Sequence, residues 1–154
     1  MNSHLRQKII ALLHHCRAAH LAIAAPDGPW ASVVRFISDD IVLYLLEAQA
    51  SDLVYYVETR PHVVLTVGEA GAGEEGPEFP GHVQIFGTAQ LLSPAEVQAA
   101  PQEVGDAYVR LNQKAPGIYV VIQVSPARIH YYSDEDGRLQ RQTLDVAPQK
   151  GEST

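Results

Sequence analysis

The chain has 154 residues, 46% of them hydrophobic and 19% charged, which is the composition of one globular domain. Its net charge of −7 argues against non-specific nucleic-acid binding, which needs a surface rich in Lys and Arg. No apolar run approaches the roughly 18 residues of a membrane-spanning helix. A single cysteine, Cys16, excludes an intrachain disulfide and fits a reducing compartment. We therefore expect a cytoplasmic protein that binds neither nucleic acid nor membranes.

The first third of the chain predicts one helix followed by an antiparallel meander. Ser3 is a typical helix cap, and the apolar positions that follow it recur at helical spacing as far as about Arg17. Three runs rich in apolar, β-branched and aromatic residues then predict strands over 21–25, 30–37 and 41–46. Tight turns separate these runs, the first of them at Pro26-Asp27-Gly28.

The remainder predicts further strands with short helices between them. The spacing predicts a helix from about 48 that stops before Pro61, because the residue preceding a proline is pushed out of helical geometry. Strands are predicted over 62–67, 82–92, 118–124, 127–133 and 138–144, and helices over 93–100 and 105–114. The Gly-, Glu- and Pro-rich residues 68–80 predict a mobile, solvated loop. Six or seven antiparallel strands indicate a small barrel or a sandwich, and the residues alone leave that choice open.

The order of these elements resembles the FMN-binding split-barrel family of pyridoxamine 5'-phosphate-oxidase-like proteins. The resemblance covers about residues 5–133. It rests on the strand ending in Pro26-Asp27-Gly28, the Arg60-Pro61 pair before a strand, the strand carrying Gly87, and the 93–96 and 125–132 segments. It implies a mainly β fold with a few helices: a six- to seven-stranded antiparallel split β-barrel with an N-terminal helix. We expect one domain over 1–147 and a polar tail over 148–154.

The resemblance also implies a function, which is binding of FMN, or of a related deazaflavin or haem, at the interface of a homodimer. The protein would then be a flavin-dependent oxidoreductase that acts on an unknown small molecule. The residues placed at the cofactor by this resemblance are Val34, Arg35, Phe36, Glu47, Ser51, Leu53, His82 and Gln84. The phosphate is expected over 47–53, yet FMN-binding members usually carry a Ser-Arg-Lys-like motif where this chain has Ser51-Asp52-Leu53. Arg35 is the best remaining cation for an anionic group.

Other interpretations stay open beside this one. The protein is alternatively a non-catalytic binder of haem or another ligand, or a structural dimer that has lost flavin binding. Arg35 is alternatively a solvated residue on the surface of a sheet. No catalytic acid, base or nucleophile follows from the spacing of the residues. No metal site is predicted, because the adjacent His14 and His15 point in different directions and the other histidines lie on separate elements.

Overall fold

The computed structural model describes residues 3–68, 81–135 and 137–146. Four helices and seven strands lie in these ranges. In chain order they are α1 (Ser3–His15), β1 (Ala18–Ala25), β2 (Gly28–Asp39), β3 (Val42–Ala48), α2 (Asp52–Thr59), β4 (His62–Val67), β5 (Gly81–Leu91), α3 (Pro94–Gln98), α4 (Gln102–Leu111), β6 (Tyr119–Glu135) and β7 (Arg138–Asp145). The loop predicted over 68–80 falls outside the described residues except for Gly68, and so does the predicted tail over 148–154.

The seven strands form one antiparallel sheet that closes on itself. Their order is β3-β2-β1-β4-β5-β6-β7, and β3 also pairs with β6, so six strands form a ring and β7 extends from it. The first half of β6 pairs with β3 and its second half pairs with β7. This closure confirms the mainly β barrel and decides against an open sandwich. Closing a sheet removes most unpaired strand edges, which otherwise recruit other chains.

The core fills the barrel and continues beneath the helices. Inward-facing apolar side chains of the strands, such as Leu21, Leu65 and Ile85, are completely buried. Helix α1 joins the same cluster through one face that carries Leu5, Ile9, Leu12 and Leu13. A smaller cluster beneath α3 and α4 lies on the other side of β3. None of the helices that the structure describes is long and apolar enough to cross a membrane.

Two segments predicted as separate strands form one strand in the structure. The segments predicted over 118–124 and 127–133 were expected to bend apart at Ser125-Pro126, but they form the single strand β6. The proline is accommodated by a bulge in β6: Phe86 pairs with Arg128 and Gly87 with Pro126, so Ala127 has no pairing partner on β5. A Cβ atom on Gly87 would lie 2.6 Å from the carbonyl oxygen of Ser125. The missing side chain therefore lets the two backbones approach closely at the bulge.

Candidate functional site

Alternating burial along the strands gives the barrel an outer face, which we define as the outward side of β2, β1, β4, β5 and β6. In β1 the buried residues alternate with exposed ones, and Ala22 and Ala24 point outward. Cross-strand pairing aligns outward residues in rows, so that Ala22 lies between Ala31 and Val64. Val64 in turn pairs with Phe86 of β5. The sheet register thus collects small and apolar side chains from four strands on one surface.

These small side chains leave a depression in the outer face, which we call the outer groove. Its volume is about 720 Å³. Its lining includes Ala22, Ala24, Pro29, His62, Val64, Phe86 and Thr88. Among the lining residues that the structure describes, none is Lys, Arg, Asp or Glu, and His62 is the one titratable side chain. The groove is therefore suited to an apolar or aromatic body, since an ionised group placed there would lose water without gaining a partner.

Four rings form a continuous aromatic cluster beside the groove. His82 stacks on Tyr132 with ring centroids 4.8 Å apart and planes inclined by 12°. His130 lies edge-on to Tyr132 at 6.2 Å and to Phe86 at 5.1 Å. The Nδ1 atom of His130 is buried and has no hydrogen-bond partner in the described structure. Phe86 lines both the outer groove and a second cavity of about 320 Å³ that reaches His130, so the cluster and the groove are contiguous.

Three of the residues that the family resemblance places at a cofactor point outward. His82 belongs to the aromatic cluster, and Gln84 pairs across the strands with His130. Arg35 is exposed at one margin of the outer face and has no hydrogen bond or ion pair with any residue that the structure describes. The row of paired residues nearest to Arg35 at the groove contains Ala31 and Ala22. Arg35 lies four residues beyond Ala31 on β2, which is about 13 Å along the strand.

Three other predicted residues point into the core instead. Val34, Phe36 and Leu53 are 2%, 5% and 1% exposed, and all three belong to the main core cluster. Their side chains are occupied by packing inside the barrel. A ligand on the outer face could therefore contact only the backbone of Val34 and Phe36, whose side chains face inward.

The start of α2, where the family phosphate motif falls, carries acidic and apolar side chains. Ser51 caps the helix, and its hydroxyl accepts a hydrogen bond from the backbone N–H of Val54 at 3.3 Å. Asp52 follows in the first turn and is exposed, whereas Leu53 is buried. Burial raises the pKa of the nearby Glu47 carboxyl on β3 above its ordinary value of 4.5. A phosphate is held best by cations together with free amides, and the side chains here supply a carboxylate instead of a cation, so they do not fit the phosphate of FMN.

The raised pKa of Glu47 predicts a pH-dependent contribution to stability. The folded protein holds this proton to a higher pH than the unfolded chain, so ionisation of Glu47 destabilises the fold as pH rises above about 4.5. Glu47→Gln is therefore expected to unfold at higher urea concentration than the parent protein at neutral pH. The difference in urea midpoint between Glu47→Gln and the parent protein should vanish at a pH below 4.5, where the carboxyl is protonated in both the folded and the unfolded chain. Glu58→Gln changes an exposed carboxyl on α2 and controls for the charge alone. Equal effects of the two substitutions at every pH would contradict the prediction.

The aromatic cluster was not predicted from the sequence, in which His130 is one of several histidines on separate elements and Tyr131 and Tyr132 are simply adjacent. The alternation of β6 separates them, with Tyr131 buried and Tyr132 on the outer face. No group of three or more His, Cys, Asp or Glu side chains suited to a metal ion occurs among the described residues.

The family follows from comparison with known sequences. The model of the pyridoxamine 5'-phosphate oxidase family matches residues 5–133. The chain belongs to this family. No curated protein matches the sequence.

Solved structures share the fold at low sequence identity. General stress protein 26 from Bacillus anthracis superposes with a TM-score of 0.69 at 18% identity, covering 93% of this chain and 99% of its own. An FAD-binding protein from Mesorhizobium loti gives 0.62 at 16% identity, covering 81% of this chain and 91% of its own. A heme binding protein from Mycobacterium smegmatis gives 0.65 at 18%, covering 90% of this chain and 56% of its own. These structural neighbours thus include one FAD-binding protein and one heme binding protein.

Proposed function

We propose that this protein is a flavin-dependent oxidoreductase that holds the flavin ring system in the outer groove and acts on a small molecule. One observation carries the proposal: an apolar depression of about 720 Å³ is contiguous with an aromatic cluster on the outer face. Sites for small ligands are typically concave and mostly apolar, with volumes of roughly 300–1,000 Å³ and a few polar groups at the margin. His62 and Thr88 supply such groups in the groove, and His130 lies in the adjoining cavity.

The proposal also explains why the sequence has no recognisable catalytic motif. A bound flavin carries the redox chemistry itself, while the protein supplies binding, orientation and electrostatics. The roles left to this chain are therefore to shelter the ring and to position it. Phe86 and the apolar side chains of β1 and β4 exclude water from the groove, and the polar groups at its margin orient the ring.

A second copy of the chain completes the proposed site. The outer face includes Val33, whose side chain is 61% exposed, in addition to the open apolar groove. A homodimer that pairs these faces would cover this apolar surface and enclose the ring. We expect the protein to sediment as a dimer. A monomer at micromolar concentration would contradict this part of the proposal.

The flavin proposal is tested by absorption and fluorescence of the purified protein. We expect the visible bands of oxidised flavin in the protein as isolated, or quenching of riboflavin fluorescence on titration with ligand-free protein. Phe86→Ala removes the aromatic wall and should weaken binding at least tenfold, while Val109→Ala, at an exposed valine on α4 outside the groove lining, should change it less than threefold. Absence of any flavin binding, or equal effects of the two variants, would refute the proposal.

Haem binding is a second candidate, favoured by the buried Nδ1 of His130, which has no hydrogen-bond partner among the described residues and lies beside a cavity of about 320 Å³. Such a nitrogen is available to a ligand that reaches it. A Soret band that appears on addition of haem and is lost in His130→Ala, but kept in His20→Ala, would support this candidate over flavin. His20 also lies on the outer face, but it is not part of the aromatic cluster.

A further inference from the structure

We infer that the outer groove takes a flavin without a phosphate group, that is, a riboflavin-type ligand in preference to FMN. The inference rests on the proposed flavin function and adds the class of ligand that the site selects. It follows from the distribution of charge around the groove and around the start of α2. Family members that bind FMN usually carry cations at the start of this helix, where this chain has Ser51-Asp52-Leu53.

The described lining of the groove offers no Lys or Arg to neutralise an anion. This lining consists of small, apolar and aromatic residues with Thr88 and His62 at the margin. Arg128 lies close by in the adjacent cavity, but its guanidinium is bound to the Asp145 carboxylate at 2.8 Å. A phosphate carried into this groove would therefore lose its hydration without a cationic partner.

The start of α2 repels an anion rather than attracting one. Helix N-termini ordinarily attract phosphate because their first N–H groups are unpaired. In α2 the Ser51 hydroxyl accepts from one of these N–H groups, and the Asp52 carboxylate already occupies the favourable end of the helix dipole. Leu53 stands in the core where the family pattern has a cation. The position that usually binds phosphate therefore carries net negative charge.

The position of Arg35 and the net charge of the chain also disfavour a phosphate group at the groove. Arg35 is separated from the nearest row of the groove by about 13 Å along β2. The whole chain has a net charge of −7, so a phosphate dianion approaches against a repulsive field, whereas riboflavin is neutral. The preference for riboflavin over FMN therefore arises both from the residues at the site and from the long-range field of the whole chain.

The inference is tested by titrating the purified full-length protein with riboflavin and with FMN in parallel, at low and at high salt. We expect riboflavin to bind at least as tightly as FMN at low salt. FMN binding should strengthen as salt screens the repulsion, while riboflavin binding stays constant. FMN binding at least tenfold tighter than riboflavin, and weakened by salt, would overturn the inference and leave the flavin function intact. Binding of neither ligand would refute the flavin function itself.

Two matched substitutions localise the effect. Asp52→Arg reverses an exposed charge at the start of α2, and Glu58→Arg makes the same change near the end of the same helix. We expect Asp52→Arg to raise FMN affinity about tenfold with riboflavin affinity unchanged, and Glu58→Arg to change the ratio of the two affinities less than threefold. Equal shifts in both variants would show that net charge alone sets the preference, and would overturn the role of α2. Loss of FMN binding in Arg35→Gln would assign the phosphate to Arg35 and also overturn the inference.

Discussion

Leu53→Lys is expected to destabilise the protein by at least about 3 kcal/mol, even though it restores a cation that the family pattern usually carries. The Leu53 side chain is 1% exposed and packs in the main core cluster, so an ammonium group there would be buried without a partner. Urea unfolding followed by circular dichroism measures the loss. We expect the midpoint to fall sharply and FMN affinity not to rise.

The neighbouring position supplies the control for this substitution. Asp52→Lys places the same cation one residue earlier, on an exposed side chain, and should cost less than about 1 kcal/mol through the helix dipole. If Leu53→Lys were as stable as Asp52→Lys and bound FMN more tightly than the parent protein, the side chain at position 53 would have to reach the surface. That result would contradict the packing of α2 described above.

Gly87→Ala is expected to destabilise the barrel by about 1–3 kcal/mol, because the new methyl group overpacks a backbone contact. Its Cβ would lie 2.6 Å from the Ser125 carbonyl oxygen and 3.2 Å from the Pro126 Cα. Both are main-chain atoms of β6, which pairs with β5 throughout this region and cannot retreat easily. Thermal unfolding provides the measurement, and we expect a lower midpoint temperature.

A second glycine tests whether this effect is specific to the bulge. A Cβ on Gly105, in the interior of α4, meets nothing closer than the Val97 carbonyl oxygen at 4.0 Å. Gly105→Ala should therefore stabilise the protein by about 0.5–1 kcal/mol, since alanine favours helix more than glycine does. Similar destabilisation by both substitutions would show that the close approach at Gly87 is not the cause.

The fold was largely predictable because its signals are local. Alternating apolar residues located the strands, and turn residues such as Asp27-Gly28 marked their ends. The strand ends that differ from the predicted ones depend on pairing partners that are distant in the sequence. Ala18 and Ala19 have weak strand propensity, yet they begin β1 because they pair with Arg35 and Val34. Ala48 was expected at the start of a helix but closes β3 by pairing with Tyr119.

The candidate site was predictable only in part, for the same physical reason. Strand alternation is enough to put Arg35, His82 and Gln84 on one side of the sheet. The contact between Phe86 and His130 depends on the register between β5 and β6, which the bulge at Ala127 shifts by one residue. The groove depends on four strands bringing small residues side by side. Neither feature leaves a contiguous motif in the sequence.

The position of β7 has a consequence for how the molecule opens. This strand hydrogen-bonds to β6 alone at the end of the sheet, and Leu144 is its buried residue while Leu139 is 70% exposed. Little apolar surface thus holds β7 in place, so it can detach while the six-stranded ring stays closed. Backbone amide protons of β7 should exchange with heavy water through this partial opening, and those of β5 only through global unfolding. The slowest exchange in the protein will therefore mark the strands that support the outer groove.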